Sequence, residues 1–125
     1  MDRKIKTIPA ESGELYVISA GSRFELAHFT GRVEVIEHTT LVPILGKVER
    51  GTKKIYASFV VCGDLEYQRE MPEDFIHSGK VYEAAADVNG ERLWFSGLRF
   101  EDSNPLTNEL TFEITDTELI RKLAL

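Results

Sequence analysis

Hydrophobic and polar residues alternate most cleanly between Lys80 and Thr115, and this stretch predicts two adjoining β-hairpins. Tyr82, Ala84, Ala86 and Val88 take one side; Val81, Glu83, Ala85 and Asp87 take the other, so one face is mostly apolar and its reverse mixed. Asn89-Gly90 follows, a pair suited to a two-residue hairpin turn in which both central residues need φ > 0. On the return, Leu93 and Phe95 give way to Leu98 and Phe100. The apolar phase slips by one residue at Ser96-Gly97, as it does at a β-bulge. Asp102-Ser103-Asn104-Pro105 turns the chain again. Leu110, Phe112 and Ile114 then alternate with Thr111, Glu113 and Thr115, which completes three antiparallel strands.

Upstream the pattern is less regular. Residues 1–13 are polar, with Pro9 and Gly13 as breakers, and read as a flexible arm. Strands are predicted at Glu14–Ser19, at Arg23–Phe29 with Phe24, Leu26 and His28 on one side, and at Arg32–His38. From Thr39 to Lys54 the chain reads as a long, partly apolar hairpin that leaves the body, since Pro43 cannot donate to a ladder and is restricted to an edge, bulge or loop. Ile55–Cys62 is apolar on both faces, which predicts a central strand covered on each side. A short helical turn is expected after Pro72, where Glu73 and Asp74 suit the positive end of a helix. A C-terminal helix is expected over 116–125, with Asp116 or Thr117 as N-cap and a stripe of Leu119, Ile120 and Leu123. The expected fold is mainly β: an antiparallel β-sandwich or barrel of about seven strands with one or two short helices, in a single domain spanning 1–125.

The chain's 125 residues, 42% hydrophobic and 29% charged, suffice for a core without metals or disulfides. The single cysteine, Cys62, sits in an apolar run and reads as an inert core thiol. No long apolar segment follows the charged start Met1-Asp2-Arg3-Lys4, so a cytoplasmic origin and no membrane contact are expected. A net charge of −6 is the wrong sign for holding a phosphate backbone. The basic patch Lys47, Arg50, Lys53 and Lys54 is too isolated to turn Tyr56, Phe59, Tyr67, Trp94, Phe95 and Phe100 into a nucleic-acid platform. His28, His38 and His77 share no ligand spacing, and the nucleophile-elbow, Walker and dinucleotide motifs are absent. Glu66, Glu70, Glu73 and Asp74 read as a solvated acidic face. The sequence therefore predicts no enzyme, no cofactor and no metal.

The order of these segments resembles the tail tube proteins of contractile phages and phage-like particles, relatives of the type VI secretion tube protein. The likeness is carried by Gly13-Glu14-Leu15-Tyr16-Val17, by the hairpin ending in Leu45-Gly46-Lys47-Val48-Glu49-Arg50-Gly51, by Ile55-Tyr56-Ala57-Ser58-Phe59, and by the runs 91–100 and 108–116. It departs from the family after Cys62, where an amphipathic helix is usual and Asp64–Ser78 offers a proline-started turn. The resemblance implies protomers that join into six-membered rings, stacked as a hollow tube in a virion tail or phage-like particle. Partners would be further copies and other tail proteins, with DNA only as passing cargo. The self-assembly contacts would be Leu41, Val42, Pro43, Ile44, Leu45, Lys47 and Arg50. Carboxylates lining such a bore would repel phosphates within about 8 Å. A small β-barrel that binds a ligand or peptide in its interior is the alternative.

Overall fold

The computed structural model describes residues 2–44, 47–62 and 81–124. Six antiparallel strands run β1 Asp2–Ser19, β2 Ser22–Ile44, β3 Lys47–Cys62, β4 Val81–Val88, β5 Glu91–Asn104 and β6 Glu109–Ile114, and a short helix α1, Thr117–Lys122, follows. They close into a barrel in the order β1-β2-β3-β6-β5-β4. The expected β-barrel is thus the architecture found. The helical turn expected after Pro72 lies outside the described residues.

Three strands are long enough to take part in two sheets. The first halves of β1 and β2 and the last part of β5 belong to different sets of partners from their other halves. One sheet is built from β1 2–10, β2 31–38, β3, β6 and the last part of β5. In it a single inward row crosses four strands as Ile8↔Val33↔Phe59↔Leu110, each residue buried. The other sheet sets Leu15 opposite Ala84, and Ala84 opposite Phe95. Between the sheets Phe59 touches three rings, with centroids 4.9 Å from Phe29, 5.7 Å from Phe95 and 5.8 Å from Phe112. Tyr82 and Phe100 pack on Phe112 from two sides. Alternation places these side chains inward, and burying each contributes about 1.5–3 kcal/mol. Together they form the core of the described residues.

The hairpin features read from the 80–115 pattern are present. Asn89 (φ 51) and Gly90 (φ 78) form the turn between β4 and β5. The ladder jumps from Tyr82↔Leu98 to Ala84↔Phe95, which is the bulge at Ser96-Gly97. Ile114 ends β6, and Asp116 then caps α1 by accepting a hydrogen bond from the Glu118 amide at 3.0 Å. Leu119 and Leu123 are buried against the core. The Lys6 ammonium donates to the Leu123 carbonyl at 2.9 Å, a cation at the negative end of the helix.

Several expectations are corrected. Residues 2–13 are not an arm: they pair with β2 from Asp2↔His38 to Gly13↔Phe29, and Ile8 and Ala10 are buried. Pro9 is accommodated because, among the described residues, this half of β1 has β2 on one side and no strand on the other. The predicted strands 23–29 and 32–38 are one strand, bent at Gly31 (φ +96) where the β1 register also shifts. In the 22–29 part of β2 the fully buried residue is Phe29, whereas Phe24 is 53% exposed. Ile55–Cys62 is not covered on both faces: Ala57, Phe59 and Val61 point in, whereas Val60 is 40% exposed. Cys62 is exposed, 3.5 Å from the Thr30 hydroxyl, and is not a core thiol.

Candidate functional site

The feature that leaves the barrel is the β2–β3 hairpin. β1 pairs with β2 only as far as His38, and β6 pairs with β3 only from Tyr56 onward. Beyond these points β2 and β3 pair with each other alone, through Thr39↔Lys53, Leu41↔Arg50, Val42↔Glu49, Pro43↔Val48 and Ile44↔Lys47. Six residues past His38, at about 3.3 Å each, make a two-stranded arm about 20 Å long. Both of its outer edges lack a strand among the described residues, and Leu41 on it is 49% exposed. Of the seven residues singled out from the sequence, the ladder brings together Leu41 with Arg50 and Ile44 with Lys47, and carries Val42 and Pro43 between them. Leu45 lies outside the described residues.

The barrel has two unlike ends along β6. At the Ile114 end lie the base of the hairpin and α1, whose last turn carries Arg121 and Lys122. At the base of the hairpin, Lys53 and Lys54 follow in sequence opposite Thr39 and His38. At the Glu109 end the β5–β6 turn protrudes with Leu106 94% exposed. Asp102 and Glu109 flank this turn in sequence.

Two surface hollows accompany these ends. One, of about 420 Å³, lies between β5 and α1 and is lined by Trp94, Leu119, Asp116, Glu118, Arg121 and Lys122. Beside it, Trp94 is held in an ordered stack on the outer face. The Arg23 guanidinium sits 4.4 Å from its ring centroid and that of Arg92 5.3 Å away, and Tyr16 stacks at 5.9 Å. Glu83 holds Arg23 at 2.8 Å, while Glu14 and Asp87 hold Arg92 at 2.6 and 3.2 Å. The hydrogen bond that Arg92 donates to Glu14 is the main cause of its raised pKa, opposed by desolvation and aided by the Glu14 and Asp87 charges. The second hollow, of about 350 Å³, is lined by Asp2, Ile36, His38, Tyr56, Glu101, Asp102 and Thr111. There Tyr56 has its pKa raised, first by desolvation and then by Glu101, Glu113 and Asp2.

Sequence reasoning missed the Trp94 stack because its members come from β1, β2, β4 and β5 and share no local motif. Only the register brings Arg92 beside Asp87 and Glu14. His28 pairs with Glu25 at 2.7 Å and His38 with Asp2, both at the surface and in separate places. Among the described residues no three His, Cys, Asp or Glu side chains are grouped to hold a metal ion, and no helix is long and apolar enough to cross a membrane. His77 and the acidic run from Glu66 to Asp74 lie outside the described residues. Comparison of the chain with protein-family models, curated proteins and solved structures finds no match.

Proposed function

We propose that this chain is a structural, non-enzymatic component of a phage tail or phage-like tube that assembles with copies of itself into stacked rings. The observation that carries the reading is the arm at 39–54. It extends about 20 Å past the barrel with no strand on either edge among the described residues, and an isolated two-stranded ribbon of that kind is marginal in water until something packs on it. A second support is that, among the described residues, no strand pairs with the second side of β1 from Asp2 to Glu11 or of β5 from Arg99 to Asn104. Such edges template pairing with another chain. Because the two differ, their pairing would be head-to-tail, the geometry that closes rings or extends filaments.

The aromatic core weighs against the ligand-binding alternative. Phe29, Phe59, Phe95 and Phe112 occupy the space a ligand would need, and none of them lines the hollows described above. The net charge of −6 suits a conduit that lets DNA pass without holding it. Negative-stain electron microscopy of concentrated protein tests the proposal. Rings or short tubes are expected, and Leu41→Asp and Leu45→Asp should reduce their number while leaving the circular dichroism spectrum unchanged. Tubes formed equally well by both variants would remove the hairpin from the assembly.

A further inference from the structure

We propose that Asn89 is a site of self-modification, where the side-chain amide closes onto the Gly90 nitrogen and the ring reopens as isoaspartate inside the β4–β5 turn. The inference needs no second copy and is independent of the tube reading.

The chain has three asparagines, Asn89, Asn104 and Asn108, and their surroundings separate them. The reaction joins the backbone nitrogen of the following residue to the asparagine Cγ, so that nitrogen must carry a hydrogen and be free to approach. Asn104 precedes Pro105, whose nitrogen has none. Asn108 precedes Glu109, which is held in the ladder between Val60 and Asn104, and the Asn108 carbonyl accepts from the Val61 amide at 2.9 Å. Asn89 differs on each count. It and Gly90 are exposed and form the whole turn between the paired residues Val88 and Glu91. Among the described residues, neither the Asn89 side chain nor the Gly90 N–H has a hydrogen-bond partner. A Cβ placed on Gly90 would meet nothing within 4 Å, so the space around the attacking nitrogen is open. Ring closure turns the Asn89 side chain and the Asn89–Gly90 peptide, the two groups at the tip.

The step balances without an oxidant or reductant. The N–Cγ bond forms, the Cγ–Nδ2 bond breaks, and ammonia leaves with the Gly90 amide hydrogen. Water then opens the ring. Attack at Cγ gives aspartate; attack at the former Asn89 main-chain carbonyl gives isoaspartate, whose main chain runs through Cβ and Cγ. Both products place a new carboxylate in the same short stretch as Asp87 and Glu91.

Isoaspartate also adds an atom to the main chain of the turn. A two-residue turn with both members at positive φ, 51° for Asn89 and 78° for Gly90, joins the strands because its twist matches theirs. A lengthened main chain loses that match, and the pairs Val88↔Glu91 and Asp87↔Arg92 feel it first. Arg92 is bonded to Glu14 and Asp87 and stands 5.3 Å from the Trp94 ring centroid. The modification therefore reaches the Trp94 stack.

The test holds native protein at mildly alkaline pH, maps deamidation by peptide mass spectrometry, and counts isoaspartate by labelling with a protein isoaspartyl methyltransferase. The mass gain and the methyl label should appear together on the peptide that holds Asn89, with Asn104 and Asn108 unchanged. Asn89→Gly, which keeps a residue tolerant of positive φ, should take no label, and Gly90→Ala should slow labelling severalfold. The isoaspartate form, separated by ion exchange, should unfold at lower urea and show shifted Trp94 emission. Asn89→Asp, which adds the charge without the main-chain atom, should stay near wild type. Label arising first at Asn104 or Asn108, or an Asn89 that reacts only once the chain is unfolded in urea, would overturn the site. An isoaspartate form with the urea midpoint and Trp94 emission of fresh protein would overturn its coupling to the stack.

Discussion

Replacing Gly13 by alanine tests the packing argument at its tightest point. A Cβ there would lie 2.1 Å from Phe29 Cζ, 2.5 Å from Phe29 Cε2 and 2.6 Å from the Ala85 carbonyl oxygen. All three distances are below any ordinary contact. Phe29 is fully buried and packed on Phe59 at 4.9 Å, so its ring cannot turn aside without opening a void. The Ala85 oxygen belongs to the β4 backbone and cannot rotate at all. Overpacking of a core costs about 1–3 kcal/mol, and the rigid backbone contact puts this case near the upper end, about 3 kcal/mol. With a slope of about 1–3 kcal/mol per molar urea, the unfolding midpoint should fall by about 1 M or more. Trp94 fluorescence follows the transition. Adding Phe29→Leu shortens the offending side chain but leaves Ala85 in place, so Gly13→Ala/Phe29→Leu should be more stable than the sum of the single losses predicts, without returning to wild type. A Gly13→Ala protein within about 0.5 kcal/mol of wild type would refute the reasoning.

Phe59→Ala removes the ring that joins Phe29, Phe95 and Phe112 and should cost about 3–5 kcal/mol, read by chemical denaturation. Asp116→Ala takes the cap from α1 and should cost about 1 kcal/mol in the same assay. The raised Tyr56 pKa favours the neutral phenol in the folded protein. Its contribution to stability is therefore present below the ordinary value of 10 and lost as pH climbs through the raised folded value. The tyrosinate absorbance lost in Tyr56→Phe should be a late-titrating component, and Glu101→Gln should move that component back toward the ordinary range.

What could be read from the sequence follows from how each element meets the core. Residues 81–114 were legible because Tyr82, Ala84, Phe95, Phe112 and Ile114 all point inward at strict two-residue spacing. The first half of β1 was not, because Ile8 and Ala10 are its buried apolar residues in a run otherwise charged, polar or broken by proline. Its strand state is imposed by pairing with β2. Gly31 was ambiguous for a different reason: a bulge and a turn both ask for a residue at positive φ, and only the continuing register tells them apart. Cys62 was misjudged since a barrel of this size leaves residues such as Val60 on its outer face, so an apolar run does not guarantee two covered faces. For the candidate site, Pro43 and the change of composition at Thr39 marked the hairpin. The Trp94 stack needed the fold to bring distant residues together.

The central claim is that this chain acts by gripping copies of itself. Sedimentation velocity across a concentration series up to the millimolar range measures this most directly. The account predicts a mass that grows from the 14.2 kDa protomer to multiples of it, with growth suppressed by Leu41→Asp. A single 14.2 kDa species at every concentration and salt would contradict it.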